Sequence, residues 1–271
     1  MNSVPDNTVN VFLGKRNTGK SVLVLDYLYH HRGFPLGTVI SPTDNFNFTY
    51  RPHVPSIFIH EKFTAELMAQ LLNRQKDICH NCKYDPAYNG VDPRAFVILD
   101  DCLADAKEWI NDENIKWVFM NGRHAKVTFI LTLQYCMGIP PSLRTQIDYI
   151  FICKEPKLCN QKRLYEQYAG IFPSFDMFRA TLNKCTKNFG CLVIDNSSTS
   201  DRLEDQVFWY RSKIDKPDWD NFKLCYPIFW KNNEAYLDSK DRRKRDDRPD
   251  LSRLTTKRNQ FNFNVKQLED A

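Results

Sequence analysis

Apolar residues along this chain gather into short, nearly continuous runs, and between the runs they return every three or four positions. Residues 9–13, 38–41, 57–59, 95–99, 126–133 and 148–153 read as buried strands. Helical spacing predicts helices from Val22 to about residue 31, then over 64–76, 109–120, 161–169 and 175–184. Breakers agree with those limits: Arg32-Gly33-Phe34-Pro35 stops the first helix, and Asn121-Gly122 stops the third. Two further strands, 191–195 and 207–211, are joined by the polar linker 196–205 and read as a hairpin appended to a sheet. From Lys216 onward Trp219, Phe222, Tyr226, Phe229 and Trp230 form an aromatic segment, expected to pack across the domain rather than dock on a partner. The pattern is that of one α/β domain with a tail.

The stretch after the first strand carries the strongest chemistry. Gly14-Lys15-Arg16-Asn17-Thr18-Gly19-Lys20-Ser21 satisfies G-x-x-x-x-G-K-[ST], with Val9, Val11, Phe12 and Leu13 leading in. A loop wrapped round a triphosphate turns its backbone N–H groups inward, which glycine permits, and the following helix adds its N-terminal dipole. Lys20 is placed for the β- and γ-phosphates, and the Ser21 hydroxyl for Mg²⁺.

The run 95–99 ends in Asp100-Asp101. An apolar strand that ends in an acid pair, downstream of a phosphate loop, completes a nucleotide-hydrolysis signature. Asp100 is assigned to Mg²⁺ and Asp101 to orienting or deprotonating the attacking water. Glutamate is the commoner base, and Asp101 has one methylene less reach. Gln134 ends the 126–133 strand, where a polar side chain senses the γ-phosphate or holds the water; a plain strand-end amide is the bland alternative. Arg123 is a candidate arginine finger for a neighbouring subunit, with Arg144 competing for the same role and an ordinary surface arginine the alternative for Arg123.

Composition narrows the class further. With 271 residues, 42% hydrophobic and 26% charged, the chain is globular and long enough to bury a core. No apolar run approaches the roughly 18–20 residues of a membrane span, and no secretory signal is expected. The nine cysteines are scattered and read as reduced thiols. Cys79 and Cys82 form half of a zinc site without a matching second pair, so a metal-free loop pair is preferred. The net charge of +5 is modest, but residues 240–258 hold nine basic residues against four aspartates. A basic tail on a neutral body suits a phosphate backbone, while a solvated tail or a targeting signal remains the alternative.

The motifs in order, with the run Asn121-Gly122-Arg123-His124, Phe129 to Tyr135, Met137-Gly138-Ile139-Pro140-Pro141, Leu143-Arg144 and Ile147 to Phe151, resemble the genome-packaging ATPases of large DNA viruses in the FtsK-HerA superfamily. The likeness covers roughly residues 8–212 and is weaker at the basic tail. It implies a RecA-like P-loop NTPase of the ASCE type. In that fold a central, mostly parallel sheet has an extra strand between the P-loop strand and the acid-bearing strand. It also implies ATP and Mg²⁺ as cofactors, a homo-oligomeric ring around double-stranded DNA, capsid or inner-membrane virion partners, and a place in cytoplasmic virus factories and the virion. By matching positions, Lys20 and Ser21 take the phosphate and Mg²⁺ roles, Asp100 and Asp101 the metal and base roles, Gln134 the sensor role and Arg123 the finger role. The Asp-Asp pair departs from the Asp-Glu of many relatives. Expected boundaries are 1–214 for the ATPase domain, 215–239 for the aromatic extension and 240–271 for a basic, flexible tail.

Two other readings share the phosphate chemistry. A nucleotide kinase would transfer the phosphoryl group to an acceptor, against which Gln134 and Asp100-Asp101 argue for water. A virion protein could instead hold ATP structurally without hydrolysing it.

Overall fold

β1 (Val9–Leu13) is buried along its whole length, with Val9, Val11 and Leu13 packed into one apolar layer and Phe12 into the other. A strand apolar on both faces needs helices above and below it, which is the arrangement of a parallel α/β sheet. The computed structural model describes Met1, residues 3–102 and residues 106–246. Met1–Asn233 forms one compact unit, and a second begins at Glu234.

In chain order, β1 leads to α1 (Lys20–His30), β2 (Leu36–Ile40), α2 (Asp44–Asn47), β3 (Ile59–His60), α3 (Ala65–Tyr84) and β4 (Ala95–Leu99). Then follow α4 (Ala106–Asn111), α5 (Glu113–Asn121), β5 (Val127–Leu133), α6 (Pro141–Arg144) and β6 (Tyr149–Ile152). The chain continues with α7 (Leu158–Tyr168), α8 (Phe175–Cys185), β7 (Cys191–Asp195), α9 (Leu203–Gln206), β8 (Val207–Tyr210) and α10 (Pro227–Asp246). The eight strands form one sheet in the order β3-β2-β4-β5-β1-β6-β7-β8. β3 to β6 pair in parallel with their neighbours, and β7 and β8 are added antiparallel, as the hairpin reading anticipated. β5 lies between β1 and β4, the inserted strand expected of this fold.

Alternation along the central strands divides the core. Val97, Leu99, Phe129, Leu131 and Leu133 face a layer with Trp109, Val118 and Phe178, while Phe96, Ile98 and Ile130 face α1 residues Leu23, Tyr27 and Leu28. The aromatic segment packs, as expected: Phe222 and Leu224 are buried, and the Phe222 ring stacks on His53 with centroids 4.0 Å apart.

Three expectations are corrected. The helix expected over 64–76 continues to Tyr84, so Cys79 and Cys82 lie in its last turns and not in a loop. The residues that extend it, 77–84, include no Gly or Pro to stop it. The helix expected over 109–120 is two helices, because Asp112 leaves helical geometry and its carboxylate caps α5 by accepting from the Ile115 N–H at 2.9 Å. The strand expected over 57–59 is mostly a 3₁₀ turn, Ser56–Phe58, and only Ile59 and His60 pair with β2. Of the basic stretch, 240–246 belongs to α10 and 247–271 lies outside the described residues. No helix among the described residues is long and apolar enough to cross a membrane, and no group of three or more His, Cys, Asp or Glu among them is gathered for a metal.

Candidate nucleotide site

Parallel strands present their C-terminal ends at one edge of the sheet, and the turns that leave β1, β4 and β5 meet there. The Gly14 N–H donates to the Leu133 carbonyl at 3.0 Å, which fastens the start of the phosphate loop to the end of β5. A Cβ on Gly14 would stand 2.6 Å from both Cys153 Cβ and Thr18 Oγ1, so the close approach itself demands glycine. Thr18 Oγ1 donates to the Lys15 carbonyl at 2.7 Å and closes the loop, and Gly19, at φ 90°, turns it into α1. Arg16 and Asn17 are exposed at its crest, and Ser21 is exposed in the first turn of the helix.

Lys20 is half-buried, and burial lowers its pKa while the charges of Asp100 and Asp101 oppose that shift. The ammonium is thus close enough to the acid pair for their charges to be felt. Asp100 is buried, and burial raises its carboxyl pKa against a lowering by the Thr132 hydroxyl and Lys20. Its Oδ1 accepts from Thr132 Oγ1 at 2.6 Å and its Oδ2 from Ser41 Oγ at 3.4 Å.

Asp101 sits at φ 54°, a left-handed conformation at the exit of β4. Its N–H donates to Thr132 Oγ1 at 3.1 Å, so one hydroxyl joins both members of the pair. The Asp101 carboxylate accepts from the Gln134 Nε2 group. An acid half-open to solvent, held by a strand-end amide beside an ammonium and a helix N-terminus, suits positioning water against a phosphate. The donor set also fits a hard cation: the Ser21 hydroxyl is exposed, and Asp100 is a buried carboxylate held in place by two hydroxyls.

Three participants were not singled out in sequence. Thr132 hides inside an apolar run, and Ser41 is one polar residue at the end of β2. Glu155, buried after β6, accepts from Lys15 Nζ at 2.6 Å, the Lys157 N–H at 2.9 Å and Asn160 Nδ2 at 3.1 Å. It ties the phosphate loop to the next strand, and its only sequence signal is an acid just beyond a strand.

Arg123 lies elsewhere. It is exposed in the turn Gly122–Ala125, before β5, at the N-terminal ends of the strands. There it lines a cavity of about 520 Å³ with Asp6, His124, Lys126 and Asp148. The seven residues of β5 separate it from Gln134 by roughly 20 Å. Arg144 ends α6, its guanidinium 5.8 Å from the Tyr168 ring centroid. Neither arginine joins the acid pair within one chain. Arg163, which no motif marked, comes nearer, its Nη1 donating to Tyr135 Oη at 2.8 Å next to Gln134.

Sheet order, phosphate loop and acid pair together define a RecA-like P-loop NTPase of the ASCE type. Residues 6–204 match the family model described as Poxvirus A32 protein, and the chain belongs to that family. An uncharacterised protein of Acanthamoeba polyphaga mimivirus is 41% identical over 204 residues, covering 75% of this chain and 72% of that protein. One of Invertebrate iridescent virus 6 is 36% identical over 204 residues, covering 74% of this chain and 73% of that protein. The fold is shared with the genome packaging NTPase B204 of Sulfolobus turreted icosahedral virus 2, solved with AMP. The TM-score is 0.53 at 14% identity, over 77% of this chain and 100% of that one.

Proposed function

We propose that this chain hydrolyses Mg-ATP and couples the cycle to moving viral double-stranded DNA into a capsid, working as a homo-oligomeric ring. The observation that carries the reading is the meeting of Gly14–Ser21, Asp100-Asp101 and Gln134 at one sheet edge, with Gln134 hydrogen-bonded to Asp101. Membership of the A32 family and the fold shared with a packaging NTPase favour this use of the site.

In this reading the loop N–H groups, with Lys15 to Thr18 at its crest, and Lys20 hold the triphosphate. Ser21 and Asp100 hold Mg²⁺, which supplies charge neutralisation on the phosphates when bound. Asp101 takes the proton of the attacking water, and Gln134 orients both. Arg123, remote from its own site, acts on that of a neighbouring subunit, where a delocalised cation stabilises the transferred phosphoryl. Residues 1–214 form the ATPase body, 215–239 are its aromatic C-terminal extension, and the basic stretch 240–271 meets DNA phosphates. Capsid or inner-membrane virion components, met in cytoplasmic virus factories, hold the ring in place.

Phosphate release from Mg-ATP, measured with and without double-stranded DNA, tests the reading. Hydrolysis stimulated by DNA and lost in both Lys20→Ala and Asp101→Asn is the expected result. Hydrolysis indifferent to DNA removes the translocase, and no hydrolysis with or without DNA removes the ATPase.

A further inference from the structure

Beside the phosphate loop lies a second, mostly apolar cavity of about 730 Å³ that the phosphate chemistry does not use. It abuts Asn17 and Gly19 and is walled by Val22, Phe189 and Ile214, all exposed to solvent. Phe189 is 69% exposed, a costly position for a large apolar ring with nothing over it. It stands close to the loop: a Cβ on Gly19 would be 3.7 Å from Phe189 Cβ and Cδ1.

The wall that carries this ring is held in an unusual backbone. Asn188 and Phe189 are consecutive left-handed residues, at φ 51° and 60°. Such conformations persist only where surrounding structure enforces them. Here Gly190 is wedged against Trp209, whose Nε1 donates to the Cys185 carbonyl at 2.8 Å, clamping the segment to β8. The opposite wall, 211–215, is anchored in α1. Tyr210 Oη donates to Asp26 Oδ2 at 2.5 Å, and Lys216 binds the other oxygen of the same fully buried carboxylate. The 211–215 wall is thus tied to the helix that opens on the phosphate loop, and the Phe189 turn to β8. Within the 211–215 wall the Ser212 Oγ is buried and has no hydrogen-bond partner.

We propose that this cavity holds the purine base of the bound nucleotide, with Phe189 stacked on its face, Val22 and Ile214 against its edges and Ser212 hydrogen-bonding a ring nitrogen. The inference rests on the reading of Gly14–Ser21 as the triphosphate site. It follows from continuity: a nucleotide whose phosphates lie on Gly19 carries its base into the adjoining space, and the only flat, exposed ring beside Gly19 among the described residues is Phe189. Stacking tolerates any purine, so the hydroxyl, and not the ring, would set preference within the class.

Calorimetric titration of the full chain with a β,γ-methylene ATP analogue and, separately, with inorganic tripolyphosphate, both with Mg²⁺, tests it. Phe189→Ala is expected to weaken the analogue about tenfold or more while leaving tripolyphosphate binding in place. Phe189→Trp is expected to keep the wild-type affinity, and Ile214→Ser to reproduce part of the loss. Because Phe189 and Ile214 are exposed, matched melting temperatures are expected for all three variants. An unchanged analogue affinity in Phe189→Ala overturns the proposal, as does an equal loss for both ligands. A change in assembly size alone does the same, and would assign the cavity to a neighbouring subunit. Wild-type protein that binds tripolyphosphate as tightly as the analogue overturns the base site and leaves the phosphate site standing. Wild-type protein that binds neither removes both.

Discussion

The two edges of the parallel sheet are both polar, yet they are built on different terms. At the C-terminal edge the functional side chains are one another's partners: Thr132 joins Asp100 to the Asp101 backbone, Gln134 holds Asp101, and Glu155 holds Lys15. At the N-terminal edge Arg123 is exposed and lines an open cavity, near enough to Asp148 to oppose the burial that raises the pKa of that carboxyl. A site whose parts satisfy each other is complete enough to bind within one chain. An edge that presents a cation outward leaves it free to meet something else, and in the ring proposed above that would be the next subunit.

The largest expected effect breaks the comparison at the far edge. If Arg123 serves a neighbour, Arg123→Ala lowers kcat in the assembled protein by about 10³- to 10⁵-fold, although the residue is remote from its own nucleotide site. Mixing it with Asp101→Asn is the sharper form, since neither variant works alone. A random mixture restores about a quarter of the interfaces, each pairing an intact Arg123 with an intact Asp101. Phosphate release that stays at the level of the separate variants places the finger elsewhere, with Arg144 and Arg163 next to test.

At the near edge, Asp101→Asn lowers kcat by about 10²- to 10⁴-fold with little change in the KM for ATP, because the amide keeps the Gln134 contact and loses the base. Lys20→Ala is expected to cost about 10²- to 10³-fold and to raise KM as well, since its ammonium acts on ground state and transition state alike.

Asp100→Asn separates stability from function. Burial raises the Asp100 pKa, so the native state holds this proton more tightly than the unfolded chain does. The group's contribution is therefore most favourable at acid pH and is lost as pH rises from the ordinary carboxylate range through the raised native value. The isosteric amide escapes that loss and can still pair with Thr132 and Ser41. Nucleotide-free Asp100→Asn should melt about 2–4 °C above wild type at neutral pH, with the gap closing on acidification and hydrolysis abolished. A lower melting temperature at neutral pH would mean that the buried carboxylate is compensated by its neighbours.

The smallest effect is expected at Lys15. Its pair with Glu155 is a third exposed on the lysine side, so Lys15→Ala should change stability by no more than about 1 kcal/mol. Thermal melts with and without salt check this, and a larger loss would make the pair a structural strut of the loop.

Much of this arrangement was legible before any coordinates. Glycines at fixed spacing after an apolar strand, an acid pair ending another strand and an amide ending a third are local patterns, and each is dictated by what its own turn must do. The α/β alternation follows from periodicity in the same way, because burial on two faces shows in consecutive residues, while the pairing of β7 with β8 as a hairpin was suggested by the polar linker 196–205 between two strand-like runs. Element limits failed where one side chain decided them, as at Asp112, or where no Gly or Pro stopped a helix at its expected end, as at Cys79 and Cys82. What only the tertiary structure decided is which strand ends stand side by side. Sheet order places Thr132 under both aspartates and sends Arg123 to the opposite edge. It also sets Phe189, from the turn after α8, against Gly19, far away in sequence. Thr132, Arg123 and Phe189 are each of a type shared by more than a dozen others in the chain. Their roles arise from neighbours distant in sequence, brought together by the burial of two apolar layers against one sheet.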